Sequence, residues 1–356
     1  MRLSPQTSKQ WRRFRSIKRG YYSLLVIAVL LVASVFAELL VNSRAIVVRY
    51  AGEYYFPTYA GFIAGTEFGL DYAYETNYRE LRARFDEQAR LASGAGADAP
   101  DNWVLMPPVP YNPFETDFRE DAFPPYPPSA GNQHYLGTDI AGRDILARLV
   151  YGFRLAMAFA VILLLCNYLV GIAVGCAMGY FGGAFDLVSQ RLIEIWSNVP
   201  FLYVIMIVAS VVVPSFWTLI IIMVIFGWMG MTWYMRTSTY KEKAREYVIA
   251  ARALGASNIR IVFRHILPNT ISVIVTLPFS VATGVTALTA LDYLGFGLPP
   301  PTPSWGELLA QGTANLQAPW IVTSVVVAMT LVLLMVAYIG EAIREAFDPK
   351  KFTFYE

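Results

Sequence analysis

Six long apolar stretches punctuate the chain, at about 21–41, 155–178, 187–213, 216–235, 270–291 and 319–340. Each approaches or exceeds the roughly 20 residues that an α-helix needs to cross a bilayer. The pattern therefore predicts an all-α polytopic membrane protein with six transmembrane helices. The third and fourth stretches are the least cleanly separated, because Arg191 and Glu194 interrupt the start of one and only Pro214 and Ser215 divide them. Between the first two stretches lies a polar insert, 42–135, far longer than an ordinary connection. A second polar interval, 236–269, divides the fourth stretch from the fifth.

Within the insert, Asn77 and Glu80 have the spacing of a capping box, and Leu81, Phe85 and Ala89 recur every four residues. Glu80/Arg84 and Asp86/Arg90 have i,i+4 spacing, so a short amphipathic helix is expected there. Beyond a Gly94–Asp98 linker, the proline-rich run from Pro107 to Pro128 favours extended backbone. Tyr50, Tyr54, Tyr55, Phe56, Tyr59, Phe62 and Phe68 crowd into fewer than twenty positions. They fit either a contact surface or a small core formed with the Leu81/Phe85 helix.

Composition agrees with the spans: 56% of residues are hydrophobic and 15% charged, with a mean hydropathy of +0.45. A net charge of +2 gives no reason to expect nucleic acid as a partner. Seven basic residues, Arg2 to Arg19, precede the first stretch without an acid among them, which marks a cytoplasmic flank. The first stretch is too long for the apolar region of a signal peptide and no clean small-residue cleavage site follows, so it is expected to be retained. Six spans then return the C-terminus to the cytoplasm, place the insert outside and put 236–269 inside. The excess of seven Lys/Arg over two Glu in 236–268 agrees. Cys166 and Cys176 lie ten positions apart in one apolar stretch, roughly 15 Å along a helix, too far to pair.

The charged interval is the richest in local signals. Tyr247, Ala251 and Leu254 share a helical face, Gly255 suits a left-handed C-cap, and Ser257 suits the N-cap of a second helix. Ile259, Val262 or Phe263, and Ile266 form its apolar stripe, with Arg260 and Arg264 on another face. Helix, turn, helix is the result. Small alanines permit close approach to a partner and the arginines suit an acidic rim, although an amphipathic loop lying on lipid headgroups would show the same pattern.

The segment EYVIAARALGASNIRIVFRHILPN, Glu246 to Asn269, resembles the cytoplasmic "EAA" loop by which ABC importer permeases dock onto ATPase subunits. Ile249 replaces the Glu that usually precedes the two alanines, and His265 replaces an Ile; both departures fit the oligopeptide and dipeptide branch. LGTDIAGRDILARLVYG (136–152), LDYLGFGLPPPTPSWGELL (291–309) and EAIREAFDPK (341–350) resemble the same branch. Val48-Arg49-Tyr50, Gly52 and Tyr54-Tyr55-Phe56-Pro57 inside a long insert are similar to its Yej-type members.

The resemblance implies a type I, MetI-like permease fold with a large external insert between helices 1 and 2. It divides into an N-terminal tail 1–20, helix 21–41, insert 42–135, permease core 136–340 and tail 341–356. It implies a bacterial inner-membrane location and transport of peptides or peptide-like compounds. The partners would be a second permease, cytoplasmic ATP-binding subunits, an external peptide-binding protein and membrane lipid. The residues matching the docking motif are Glu246, Tyr247, Ala250, Ala251, Arg252, Leu254, Gly255, Ala256, Arg260, Arg264 and Pro268. No phosphate-binding G-x-x-x-x-G-K-[ST] loop occurs in the chain. ATP and Mg are therefore assigned to partner subunits, with no cofactor, metal or catalytic group in this one. An ion-coupled secondary transporter and a membrane receptor or scaffold are the alternatives.

Four further patterns carry expectations. Gly171, Gly175 and Gly179 make a flat helix face, suited to packing within the chain or across a permease pair. Ser272, Thr276, Ser280, Thr283 and Ala287 form a small, mildly polar stripe, a candidate translocation path that helix packing explains equally. Glu38, Glu194 and Asp292 are expected at span ends, at the interface rather than in a proton relay. His134 is expected in a turn or interface, with Asp139, Arg143 and Asp144 fixing the start of the second span by surface salt bridges.

Overall fold

The computed structural model describes residues 5–94, 101–119, 122–270 and 277–347. They fall into two units: one holds 1–28, 156–299 and 330–356, the other 29–155 and 300–329. Among the described residues four helices are long and apolar enough to cross a membrane: Lys18–Val35, Ile145–Phe181, Phe216–Lys243 and Pro319–Phe347. A fifth candidate is the pair Gly183–Ser197 and Phe201–Val211, bent by 65°. The bend follows from Pro200, which lacks an N–H and disfavours helical backbone in the residue before it. The remaining expected span, 270–291, lies partly outside the described residues, and Leu277–Tyr293 is its described helix.

The first unit is a set of packed apolar helices. Ile145–Phe181 ends where Gly182 and Gly183 take left-handed backbone, φ +65° and +57°, and Gly183–Ser197 begins at once. The glycine face packs within the chain. A Cβ at Gly171, Gly175 or Gly179 would lie 2.7, 2.6 and 2.6 Å from the carbonyl oxygens of Trp228, Thr232 and Arg236. The missing side chains are thus what lets Ile145–Phe181 and Met229–Lys243 touch backbone to side. Asp186 and Arg236 add a bidentate ion pair, both contacts 2.6 Å, with the Tyr240 hydroxyl donating to the same carboxylate.

The second unit contains the insert and corrects the all-α expectation. Val47–Tyr50 (β1), Glu53–Tyr55 (β2) and Trp103–Leu105 (β3) form an antiparallel sheet ordered β2-β1-β3. Ala51 and Gly52 both have positive φ in the two-residue turn, as tight hairpins matching strand twist require. Val48, Phe68, Leu81, Phe85 and Met106 close a hydrophobic core between sheet and helix Tyr78–Gly94. The aromatic cluster is divided: Phe68 is buried and Tyr50 packs on this core, while Tyr54, Phe56, Tyr59 and Phe62 are exposed.

The predicted helix forms, but its polar pairs differ. Asn77 caps it by accepting from Glu80 N at 3.3 Å, while the Tyr72 hydroxyl stands between Asn77 N and Glu80, replacing the return half of the capping box. Arg84 donates to Gly69 O, and Asp86 pairs with Arg82 rather than Arg90. Glu38 pairs with Arg154 at 2.9 Å in this unit.

Candidate functional site

The Glu246–Asn269 segment is built from its turn outward. Helix Glu246–Ala253 stops at Gly255, φ +78°, where Ala256 N donates to Ala251 O and Gly255 N to Arg252 O, both at 3.0 Å. These two bonds are the Schellman closure that a left-handed residue permits. Ser257 then caps the following helical stretch by accepting from Arg260 N at 3.4 Å. That stretch is wide-turned over Ile261–Ile266 and tightens over Leu267–Thr270.

The buried stripe agrees with the expected one at Ala251 and Ile266 and differs elsewhere. Val248, Ala251, Ile261 and Ile266 turn inward, and Tyr180 joins Val248, Ile261 and Ile266 in one cluster. Leu254 is 88% exposed, Ile259 73%, Phe263 65% and Ile249 59%. The shift has a polar cause. Tyr247 donates to Glu242 Oε2 at 2.5 Å and accepts from Asn269 Nδ2 at 3.2 Å, tying the start and end of the segment together, and this leaves the adjacent Val248 facing inward. Burial first, then the Glu242 carboxylate, pushes the Tyr247 phenol up to about 12, so the hydroxyl stays protonated and keeps its hydrogen bond to Glu242 at neutral pH.

Arg252 is exposed and donates to the Tyr180 hydroxyl at 3.3 Å, and that hydroxyl donates to Asn258 Oδ1 at 2.7 Å. Glu246, Ala250, Arg260, Arg264 and Pro268 are exposed, and Ala256 is half-buried. The segment is therefore a hydrogen-bonded helical hairpin whose outer surface carries large apolar side chains and arginines.

The polar stripe of the fifth span is divided. Ser272 and Thr276 lie outside the described residues. Ser280 and the Tyr168 hydroxyl are 3.2 Å apart. With Thr283 and Ala287 they line a cavity of 460 Å³ that also meets Asn167 and Tyr234. Gly284 packs on the Ala160 backbone, where a Cβ would come within 2.9 Å. Asp292 is buried and accepts from Leu298 N at 2.7 Å, which closes the turn after Leu277–Tyr293.

Sequence reasoning missed one charged constellation. Residues 136–152 and 301–307, the latter within the 291–309 motif, meet through buried ions rather than surface salt bridges. Asp139 accepts from Ala141 N, Arg143 N and Arg143 Nε at 2.7–2.9 Å, while Arg143 also reaches Glu307 Oε1 at 2.8 Å. Arg148, fully buried, pairs with Glu307 and donates to the carbonyls of Pro113, Pro301 and Thr302. Two arginines thus balance two carboxylates. Ser304 caps helix Trp305–Ala314, and Trp305 Nε1 donates to Leu149 O at 3.1 Å.

Asp144 caps Ile145–Phe181 through Ala147 N at 2.7 Å. His134 is likewise enclosed, its ring nitrogens 2.7 Å from Asp144 and 3.3 Å from Asp117, under the Tyr111 ring. The available signal was spacing: Arg143 and Arg148 lie in one charged motif, and Glu307 stands in the other with no partner nearby in sequence.

Residues 171–353 match the family described as binding-protein-dependent transport system inner membrane component. The chain is 40% identical over 353 residues to the inner membrane ABC transporter permease protein YejE of Escherichia coli, covering 98% of this chain and 99% of that protein. It is 37% identical to the peptidoglycan transport system permease protein YejE of Agrobacterium fabrum, covering 98% and 94%. Against the dipeptide transport system permease protein DppC of Haemophilus influenzae the identity is 33%, covering 69% and 85%.

Proposed function

The chain belongs to the inner-membrane permeases of binding-protein-dependent ABC importers, and on that premise we propose that it forms one half of a peptide translocation pathway. It is a multi-pass, non-catalytic membrane subunit. Full-length similarity to YejE proteins, and partial similarity to a dipeptide permease, supports oligopeptides, dipeptides or peptide-like fragments as cargo.

The proposed assembly pairs the chain with a second permease, two ATP-binding subunits that hold ATP and Mg, and an external peptide-binding protein. Six spans, cytoplasmic termini and an external insert complete the proposed topology. Glu246–Asn269 is the proposed ATPase dock, and the observation that carries this is the hydrogen-bonded turn at Gly255 with Ile249 and Leu254 turned outward beside it. Movement of the docked ATPases would pass through Tyr247 and Glu242 into Met229–Lys243, the helix against which the glycine face is packed. The stripe of Ser280, Thr283 and Ala287 at the cavity is this chain's contribution to the path, together with Ser272 and Thr276 from the sequence. The exposed Tyr54, Phe56, Tyr59 and Phe62 of the insert form the proposed contact with the binding protein.

Purification from mild detergent with co-expressed ATPase genes, followed by peptide uptake into vesicles, tests this reading. ATPase subunits should copurify and uptake should require ATP. Uptake driven by an ion gradient without ATP would instead assign a secondary transporter. Gly255→Val places a β-branched residue at φ +78°, where only glycine is unstrained. The variant should insert normally yet lose peptide uptake and substrate-stimulated ATP hydrolysis.

A further inference from the structure

Beside the docking segment runs an apolar groove of 420 Å³ that the transport reading leaves unused. One wall is the face of Ile145–Phe181 bearing Leu169, Ile172, Cys176 and Phe181; the other is the second docking stretch, with Val262 and Phe263. From Leu169 to Phe181 a helix rises roughly 18 Å, close to the roughly 15 Å half-thickness of a bilayer's hydrocarbon.

At one end the chemistry changes. Tyr180 lines the groove there, and two cations gather on its ring: Lys243 Nζ lies 5.7 Å from the centroid and Arg252 Cζ 5.5 Å. Among the described residues neither cation is paired with a carboxylate. The tyrosine hydroxyl is already committed to Asn258 and Arg252, so the cations keep donors for something else.

An occupant must match both ends: a long apolar body and an anionic head beside Tyr180, Lys243 and Arg252. A transmembrane helix is a poor match. An apolar helix would bring no anion to Lys243 and Arg252. A free phosphate would leave the apolar walls in contact with water. We propose that this groove binds an anionic glycerophospholipid, one acyl chain lying along Leu169–Phe181 and the phosphate held by Lys243 and Arg252. Because Val262 and Phe263 belong to the docking segment, the lipid becomes part of the support on which that segment moves. The inference rests on the membrane location and not on the identity of the cargo.

The test is lipid retention by the full-length protein in its assembled transporter, followed by native mass spectrometry with palmitoyl-oleoyl phosphatidylglycerol and the corresponding phosphatidylcholine. One phosphatidylglycerol should be held per copy at least tenfold more readily than phosphatidylcholine. Lys243→Gln should reduce that preference to about threefold or less, and Lys243→Arg should restore it. Ala173→Trp, which fills the groove from an exposed helix position, should remove both lipids while the helices still insert. A phosphatidylglycerol carrying a photoreactive group on its acyl chain should label the peptides containing 169–181 or 259–267. Equal retention of the two lipids, a Lys243→Gln protein that behaves as the parent, an Ala173→Trp protein that still retains lipid, or label confined to other peptides would each overturn the proposal.

Discussion

Two motif-rich stretches of this chain treat their charged and apolar groups in opposite ways. Residues 136–152 and 301–307 fold their charges inward: Asp139, Arg143, Arg148 and Glu307 neutralise one another, and backbone carbonyls accept from the Arg148 guanidinium. The 246–269 segment keeps Val248, Ala251 and Ile261 for its own core and turns Leu254, Ile249 and two arginines outward. The first stretch is complete within the chain. The second is well folded yet leaves large apolar side chains exposed at its surface, as the proposed ATPase contact requires. Motif density alone would have ranked the two alike; the difference lies in where each one's polar and apolar groups are satisfied.

The comparison is most severely tested by breaking the closed region. Glu307→Ala removes the carboxylate that faces both Arg143 and Arg148 and leaves buried positive charge, so it should cost about 3–5 kcal/mol and sharply lower the yield of folded protein. Replacing both partners together, Arg148→Met with Glu307→Leu, should recover much of that loss. Thermal unfolding in detergent reads both variants, and a double variant no better than Glu307→Ala would show that the pair is not the source of the cost.

A smaller loss is expected at the packed helices. Gly175→Leu pushes a side chain against Thr232 O, where even a Cβ would lie at 2.6 Å, and overpacking of this kind costs about 1–3 kcal/mol. Ser304→Ala removes the cap that accepts from Gly306 N and Glu307 N and should cost about 1 kcal/mol. A Ser304→Ala protein as unstable as Gly175→Leu would mean that the cap supports the ion cluster as well as the helix.

The smallest effect on stability belongs to the open region. Leu254→Asp alters a side chain that is 88% exposed, so the unfolding midpoint should move by less than the equivalent of about 0.5 kcal/mol. Capture of ATPase subunits should nevertheless fall steeply, because a charge is set into an apolar contact. A large loss of stability in this variant would place Leu254 in the closed class.

Much of this fold was legible in the sequence, because apolar spans and caps act locally. The turn at Gly255, the cap at Ser257 and the helix around Leu81 and Phe85 all depend on residues within a few positions. The sheet was not legible. Its strands are three or four residues long, too short for alternation to register, and its turn is Ala51-Gly52 rather than the more usual Asn-Gly.

The Arg148–Glu307 cluster is missed for a different reason: its partners are separated by 159 positions, and no local rule pairs them. In Glu246–Asn269 the helices are readable, but their inward face is set by Tyr247 bonding to Glu242 and Asn269. The glycine face left packing within the chain and across a pair equally open; contact with Met229–Lys243 accounts for it within the chain.

The most direct measurement of the central claim is site-specific photocrosslinking in the assembled transporter. A photoreactive residue is placed at Leu254 and, as a control, at Leu91, which is 67% exposed on the insert helix. The account predicts an adduct with an ATP-binding subunit at 254 and none at 91; ATPase capture from 91, or its absence from 254 in a complex that still hydrolyses ATP, would contradict it.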